Sequence, residues 1–492
     1  MELLSPAGNL DKLKYCYIYG ADAAYIGLKN FSLRVKADNF YQDEYKKVQD
    51  LKNQFPNKRL HCALNIAFHN SEIERLKENI PYFKQYPIDA FIVQDLGIVP
   101  ILQKEFPDAE LHLSTQASCM NREAVKMYKS LGFKRVVMGR EASLKEIAEI
   151  KQAVPEMEIE CFVHGAMCIA YSGRCLMSAY LNGRSAQEGF CSHTCRWDYD
   201  VMSSNPNLKN QNMAKQIAES GDLVLREHKR PDEYFPVYEG DNFTAVLSSK
   251  DLCMIDYLSE FKKAGVDSLK IEGRMKSVYY VAMITRAYRK ALDALDGKIT
   301  QEEAQNFIQE MYKASHRPFT TAFYFDKTKA DETVSGASDS PYDLAAEIGE
   351  QLNQNETDEI LQKASQNQKA QDEEYNSLCE QAKIAWDERV KNAPDKHLPF
   401  AKKIDSWKMY RLVARNMINQ NSELEIVAPD ICKKEFNQKD FQLINPHTAQ
   451  IYNWVCDGHD CVIYTNQEFT EGTLLRSKDN DFVEGKIRDF GR

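Results

Sequence analysis

The sequence lacks the features that mark membrane and exported proteins. No apolar stretch approaches the roughly 18 residues that a membrane-spanning helix needs. The first residues, MELLSPAGNLDKLKY, have neither the basic start nor the apolar run of a signal peptide. We therefore expect a cytoplasmic protein that does not enter a membrane.

Several catalytic motifs are also absent. The sequence contains no H-E-x-x-H, no G-x-S-x-G and no G-x-G-x-x-G. It contains neither the H-x-D/E motif of a two-histidine, one-carboxylate iron site nor a haem-binding motif. These absences disfavour zinc and serine peptidases and nucleotide-dependent redox enzymes.

Positively charged residues are outnumbered by negatively charged ones, which gives the 492-residue chain a formal net charge of −10. The segment 331–376 contains twelve Asp or Glu and two Lys, so it accounts for the whole excess. The rest of the chain is balanced and can carry a basic face. The overall charge therefore neither excludes nor supports an RNA substrate.

Short apolar strands alternate with amphipathic helices over the first 165 residues. The predicted strands are 2–8, 22–27, 60–67, 89–95, 110–117, 135–139, 158–165 and, further on, 267–273. This alternation predicts a parallel sheet covered by helices, either a TIM-like barrel or a doubly wound sheet. In a barrel, the active face lies at the carboxyl ends of the strands.

The remainder of the chain has a different pattern. A strand is predicted at 318–325, a solvated linker or surface helix pair at 331–376, and a basic amphipathic helix at 404–418. Alternating strands over 423–466 predict a small antiparallel β-barrel. We therefore predict three parts: a catalytic barrel at 1–328, an acidic, mostly helical insertion or linker at 329–419 and a small β-barrel domain at 420–492.

Cysteines are concentrated in FVHGAMCIAYSGRCLMSAYLNGRSAQEGFCSHTCRWDY (162–199). Cys168, Cys175, Cys191 and Cys195 have the spacing C-x6-C-x15-C-x3-C. Cytosolic thiols stay reduced, so this density indicates a metal site rather than disulfides. Four thiolates suit a 4Fe–4S cluster or structural zinc, although the first spacing is long for a zinc knuckle.

Charged and polar residues near predicted strand ends are candidates for substrate contacts. In SLKIEGRMKS (268–277), Arg274 and Lys276 precede a helix, where a carboxylate or phosphate can bind. A structural pairing with Glu272 is the alternative. Other polar residues at strand ends either face a substrate or cap turns: Ser5, Asn65, Gln94, Asp95, Ser114, Gln116, His164 and Glu272. Tyr171, Tyr180 and Trp197 either stack on a base or pack in the core.

Several of these segments resemble the peptidase U32 family, also called collagenase-like proteases. The resemblance rests on ELLSPAGNLDKL, YIGLKNFSLRVKADNF (25–40), residues 161–197, KIEGRMKS (270–277) and SHRPFTTAFYF (315–325). It covers about 1–325 and, more loosely, the last β-domain. The cysteine spacing and the CSHTCRW ending are most similar to the branch that hydroxylates tRNA.

The resemblance implies an oxygen-independent hydroxylase with a 4Fe–4S cluster on the four cysteines. It implies tRNA as partner, 5-hydroxyuridine at the wobble position as product, and prephenate as the hydroxyl source. Alternatives are a hydroxylase of ribosomal RNA or of a quinone ring, a collagenase-like peptidase, or a non-catalytic RNA-binding factor. We expect Arg34, Arg274 and Lys276 to bind substrate, no DNA partner, and a protein partner for residues 331–376. Residues 331–415 depart from the common family pattern.

Overall fold

The computed structural model describes most of the chain. The described residues are 1–28, 31, 39–41, 43–168, 170–182, 191, 194–196, 224–226, 234–236, 238–239, 244–245, 249–325, 340–384, 401–419 and 422–478. The chain divides into two compact units, Met1–Ser340 and Pro341–Val483. In this described part, no helix is both long and apolar enough to cross a membrane.

Short strands alternate with helices over most of the first unit. The strands are β1 (Glu2–Pro6), β2 (Ala23–Ile26), β3 (Arg59–Leu64), β4 (Ala90–Val93), β5 (Glu110–Leu113), β6 (Arg135–Val137), β7 (Glu158–Ala166), β8 (Val224–Arg226), β9 (Tyr234–Pro236), β10 (Tyr238–Glu239), β11 (Thr244–Ala245), β12 (Asp251–Cys253), β13 (Ser268–Ile271) and β14 (Phe319–Thr320).

Eight of these strands close into a parallel barrel. Strands β1 to β7 pair in chain order, and β13 pairs in parallel with both β7 and β1. The register at this closure aligns Leu269 with Leu3 on one side and with Cys161 on the other. The predicted TIM-like barrel is therefore confirmed, and the doubly wound alternative was wrong. Strand β12 adds to β7 in antiparallel orientation, and β14 follows it.

Helices of the first unit begin at capping residues that the sequence supplies. They are α1 (Leu10–Ile18), α2 (Glu44–Gln54), α3 (Asn70–Phe83), α4 (Val99–Glu105), α5 (Arg122–Ser130), α6 (Leu144–Ala153), α7 (Met177–Asn182), α8 (Leu258–Lys263), α9 (Val278–Leu295) and α10 (Gln301–Met311). Asn9, Ser143, Ser277 and Thr300 accept hydrogen bonds from backbone N–H groups in the first turn. Such caps satisfy donors that the helix itself leaves without partners.

The second unit contains an antiparallel sheet and one long helix among its described residues. The elements are β15 (Tyr342–Gln351), α11 (Gln354–Ile384), β16 (Lys408–Ala414), β17 (Ile418–Asn419), β18 (Leu424–Val427), β19 (Lys434–Phe436), β20 (Phe441–Ile444), β21 (Trp454–Val455), β22 (Cys461–Thr465) and β23 (Leu474–Lys478). The main sheet has the order β19-β18-β23-β15-β16-β22-β20. The antiparallel β-structure predicted for the C-terminal region is thus confirmed.

Two secondary-structure predictions were wrong in this region. Residues 404–418 form turns and strand β16 instead of an amphipathic helix. The acidic segment contains strand β15 before helix α11, so it is not a helix pair. Both strands belong to the antiparallel sheet, in which β15 precedes α11 in the chain and β16 follows it. The three predicted domain boundaries stay a prediction.

Candidate active site

A cavity of about 140 Å³ lies at the carboxyl ends of the barrel strands. Asn65 follows β3, Ser114 follows β5, Arg140 follows β6 and Glu272 follows β13, and all four line it. The location agrees with the rule that barrel enzymes build their sites at this face. Tyr25, Ile92 and Phe162 contribute apolar wall from inside the barrel.

All four cysteines of the predicted cluster line this one cavity. Cys168 follows strand β7 and is exposed, whereas Cys175, Cys191 and Cys195 are half-buried. The hydroxyl of Ser178, on α7, lies 3.8 Å from the sulfur of Cys191. The barrel end therefore brings together thiols that are up to 27 positions apart in sequence.

Hydrogen bonds fix the loop between Cys168 and Cys175 to two neighbouring strand ends. Ser172 donates its backbone N–H to the Glu141 carboxylate at 2.7 Å, and its Oγ lies 3.2 Å from the same oxygen. The Ser118 hydroxyl donates to the carbonyl oxygen of Ser172. Gly173 packs so tightly on Gln116 that an added Cβ would lie 2.0 Å from its carbonyl oxygen. The loop is therefore held against the residues that follow β5 and β6.

The donor set fits a 4Fe–4S cluster in its chemistry, since four thiols surround one space. Within the described ranges, no three His, Cys, Asp or Glu side chains converge closely enough to hold a single metal ion. A four-iron cube distributes its thiolates over four different irons, so it does not need convergence on one point.

Three cationic side chains line the same cavity: Arg140, Lys270 and Arg274. All are at least nine-tenths buried. The guanidinium carbon of Arg140 lies 3.8 Å from the ring centroid of Phe162, and Lys270 Nζ lies 4.5 Å from that of Tyr25. Contact between cations and aromatic faces lowers the cost of burying the charge.

Lys270 is already paired inside the barrel. Its Nζ donates to the Glu160 carboxylate at 2.7 Å, and Arg135 contacts the other oxygen of Glu160 at 3.0 Å. Burial alone would raise the pKa of Glu160, but Lys270, Arg135 and His112 lower it to about 2. Glu160 therefore stays ionised at neutral pH, and much of the charge of Lys270 is directed toward it.

Three residues were predicted to bind substrate. Arg274 lines the cavity, and its role in substrate binding stays a prediction. Lys276 is not among the lining residues; its Nζ lies 3.4 Å from the carbonyl oxygen of Ser315 and over the ring of Tyr280. Arg34 lies outside the described residues, so its role stays a prediction.

The polar strand-end residues divide between the cavity and structural roles. Those that line the cavity are Asn65, Ser114, Gln116 and Glu272. Ser5 bonds to Thr285, and Asp95 caps the turn that begins at Leu96. His164 is buried against Tyr288 and Phe319, and burial lowers its pKa to about 3, so it is a neutral core residue.

Of the aromatic candidates, Tyr171 lines the cavity and is 62% exposed. The Tyr180 side chain and Trp197 are outside the described part.

Arg140, Lys270 and Glu141 are site residues that sequence analysis missed. Lys270 and Glu272 are two apart on one strand, so period-two alternation could have placed both inside the barrel. Arg140 lies three residues beyond the last residue of β6, where the strand-end rule also applies. No sequence signal shows that Glu141 would bind the cysteine loop, because that contact joins residues 31 apart.

Fold and site together define a (β/α)₈-barrel protein with a cysteine-lined, cationic cavity at the active face. The family model for peptidase family U32 matches residues 8–334. The chain belongs to this family.

Similar proteins include two that are named tRNA hydroxylation protein P. The chain is 37% identical over 345 residues to that of Escherichia coli (strain K12), covering 67% of this chain and 76% of the relative. It is 39% identical over 342 residues to that of Haemophilus influenzae, covering 65% and 73%. The 23S rRNA 5-hydroxycytidine synthase of Escherichia coli is 34% identical over 357 residues, covering 71% of this chain and 48% of that protein.

Among solved structures, a U32 peptidase matches with a TM-score of 0.32 and 12% identity. The match covers 55% of this chain and 92% of that one. The barrel assignment itself rests on the strand pairings of this chain.

Proposed function

We propose that this protein hydroxylates tRNA, forming 5-hydroxyuridine at the wobble position with a 4Fe–4S cluster and prephenate as hydroxyl source. The observation that carries the proposal is the single cavity that contains four cysteines and three buried cations. Two relatives named tRNA hydroxylation protein P match this chain over about three quarters of their length. Their names support an RNA substrate.

Cys168, Cys175, Cys191 and Cys195 would hold the cluster. Such a cluster supplies redox chemistry at a potential that nearby positive charge raises. Arg140, Lys270 and Arg274 provide that positive charge and attract an anionic co-substrate into the same space. Tyr25, Ile92 and Phe162 exclude water from one wall.

A base must leave the RNA stack before an enzyme can modify a ring carbon. Tyr171 is exposed and lines the cavity, so its ring is available to stack on an extruded uracil. The buried cations and the exposed aromatic ring divide the site between a small anion and a base. This division suits a reaction between a hydroxyl donor and a nucleoside.

The test is to purify the full chain without oxygen and to analyse tRNA from a deletion strain by mass spectrometry. We expect a brown protein with about four irons per chain and tRNA that lacks 5-hydroxyuridine. Cys175→Ser should lower the iron content and fail to restore the modification. Cys432→Ser, in the second unit and outside the cavity, is the matched control and should restore it.

Two outcomes would contradict the proposal. A colourless protein with one zinc per chain would exclude the cluster. Unchanged tRNA in the deletion strain would exclude the tRNA reaction, and loss of a modified cytidine in ribosomal RNA would instead assign the enzyme to that substrate.

A further inference from the structure

The guanidinium group of Arg140 is the feature of the cavity that the fold itself leaves unexplained. Arg140 is 8% exposed, lines the cavity and lies over the ring of Phe162. Its backbone N–H donates to Ser172 at 3.4 Å. Within the part of the chain that the structure describes, no carboxylate forms an ion pair with its side chain.

Two other buried arginines of the first unit have such partners. Arg135 contacts Glu2, Glu158 and Glu160, and Arg317 contacts Asp251 at 2.6 Å. Burying a charge without a counter-ion is costly, and contact with an aromatic face offsets only part of that cost. The planar fork of an arginine binds a carboxylate through two parallel hydrogen bonds. Arg140 is therefore suited to an anion that enters the cavity.

One wall of the cavity is apolar and is formed by Tyr25, Ile92 and Phe162. Such a wall suits the ring of a small molecule. An anion that binds beside it at Arg140 can therefore be a cyclic one.

The cavity also contains a second guanidinium group. Arg274 follows β13 and is 3% exposed. The strand order β6-β7-β13 puts Arg140 and Arg274 beyond the two strands that flank β7. Lys270, in contrast, is committed to Glu160. Two guanidinium groups beside an apolar wall match a cyclic molecule that carries two carboxylates.

We propose that Arg140 binds one carboxylate of prephenate, a cyclic dicarboxylate, and that Arg274 contacts the other. The inference rests on the proposed function, because it identifies the residues that would select the hydroxyl donor. It assigns the specificity for that donor to the barrel wall beside β6 rather than to the cysteine loop. An RNA phosphate is the competing source of negative charge at Arg140.

Direct binding of prephenate to the full-chain holoenzyme, without RNA, tests the assignment. Isothermal titration should show binding to the unchanged protein and about 10- to 100-fold weaker binding to Arg140→Met, the loss expected for charge-assisted hydrogen bonds. Arg140→Lys keeps the charge but not the fork and should be intermediate. Arg122→Met, on an exposed arginine of α5, is the matched control and should bind normally.

Steady-state kinetics distinguish an effect on prephenate binding from an effect on tRNA binding. Arg140→Met should raise KM for prephenate and leave KM for tRNA unchanged, with normal iron content as the check on folding. Unchanged prephenate binding in an iron-replete Arg140→Met would overturn the inference, as would a change in KM for tRNA alone. If Arg140→Met does not fold, Arg140→Lys and Arg274→Met must each weaken prephenate binding, and normal binding in both overturns it.

Failure of the proposed function gives a different result. The unchanged enzyme would then make no 5-hydroxyuridine, whatever Arg140 does. Binding of prephenate to that enzyme, weakened by Arg140→Met, would still support the anion site.

Discussion

Gly173 shows how a single residue places the cysteine loop. Its φ is +74°, a conformation that residues with a Cβ rarely adopt. A Cβ at this position would also lie 2.0 Å from the carbonyl oxygen of Gln116. Backbone conformation and close approach therefore both require glycine between Cys168 and Cys175.

Gly173→Ala should displace this loop and lower the iron content of the purified protein. Gly297→Ala is the matched control, because Gly297 has φ +73° but no described atom within 4 Å of the added Cβ. Both variants incur backbone strain of about 1 to 2 kcal/mol, but only Gly173→Ala meets the clash. Iron analysis reports displacement of the loop, and thermal unfolding reports the backbone strain, so the two measurements together separate these effects. Equal iron content in the two variants would contradict a role for this contact.

The four cysteines were predictable because their spacing is visible in the sequence and their chemistry is specific. Arg140 was not, because its significance depends on burial and on the absence of a described carboxylate partner. Arg274 and Lys276 are two positions apart, yet only Arg274 lines the cavity. Local sequence could not separate them, since the turn before α9 decides which side chain faces inward.

At the scale of the elements, an ionic network crosses the closure of the barrel. Glu2 of β1 contacts Arg135 of β6 and Ser268 of β13, and Arg135 and Lys270 both bind Glu160 of β7. Side chains from four strands therefore meet inside the barrel, and Lys270 joins this network to the cavity wall. Such a buried network is sensitive to the loss of one partner.

Lys270→Met should destabilise the first unit by roughly 3 kcal/mol, the loss typical when one partner of a buried ion pair is removed. Glu160 would remain buried, with Arg135 as its remaining ion-pair partner in the described part of the chain. Lys263→Met removes the exposed partner of Glu260 and should change stability far less, because exposed ion pairs contribute little. Denaturant unfolding followed by circular dichroism measures both. Similar losses in the two variants would show that the buried pair adds little.

The eight barrel strands were predictable because each is a short apolar run between turn residues. Strand β16 was not, although residues 410–414 alternate between buried and exposed positions. Arg411 and Arg415 lie among apolar residues, so the segment also fits a basic amphipathic helix. Pairing with β15 and β22, which are distant in sequence, decides the outcome.

At the scale of the whole molecule, the candidate site belongs to one unit. Every residue that lines the cavity falls between Tyr25 and Arg274, and the family match ends at residue 334. The second unit has its own apolar core, which includes Phe436, Leu443 and Ile463. Composition indicated a change near residue 330, but it could not show that β15 and β16 join the same sheet across α11.

A fragment that ends at Ser340 should fold and keep both the iron and the binding of prephenate. The reason is that its barrel closes through β13 and that all described residues lining its cavity belong to the first unit. Iron analysis and titration with prephenate, each compared with the full chain from the same anaerobic preparation, measure the two properties. A fragment with the circular dichroism of a folded barrel but without prephenate binding would show that the second unit contributes to the site. Retained binding would instead confine the donor site to the barrel.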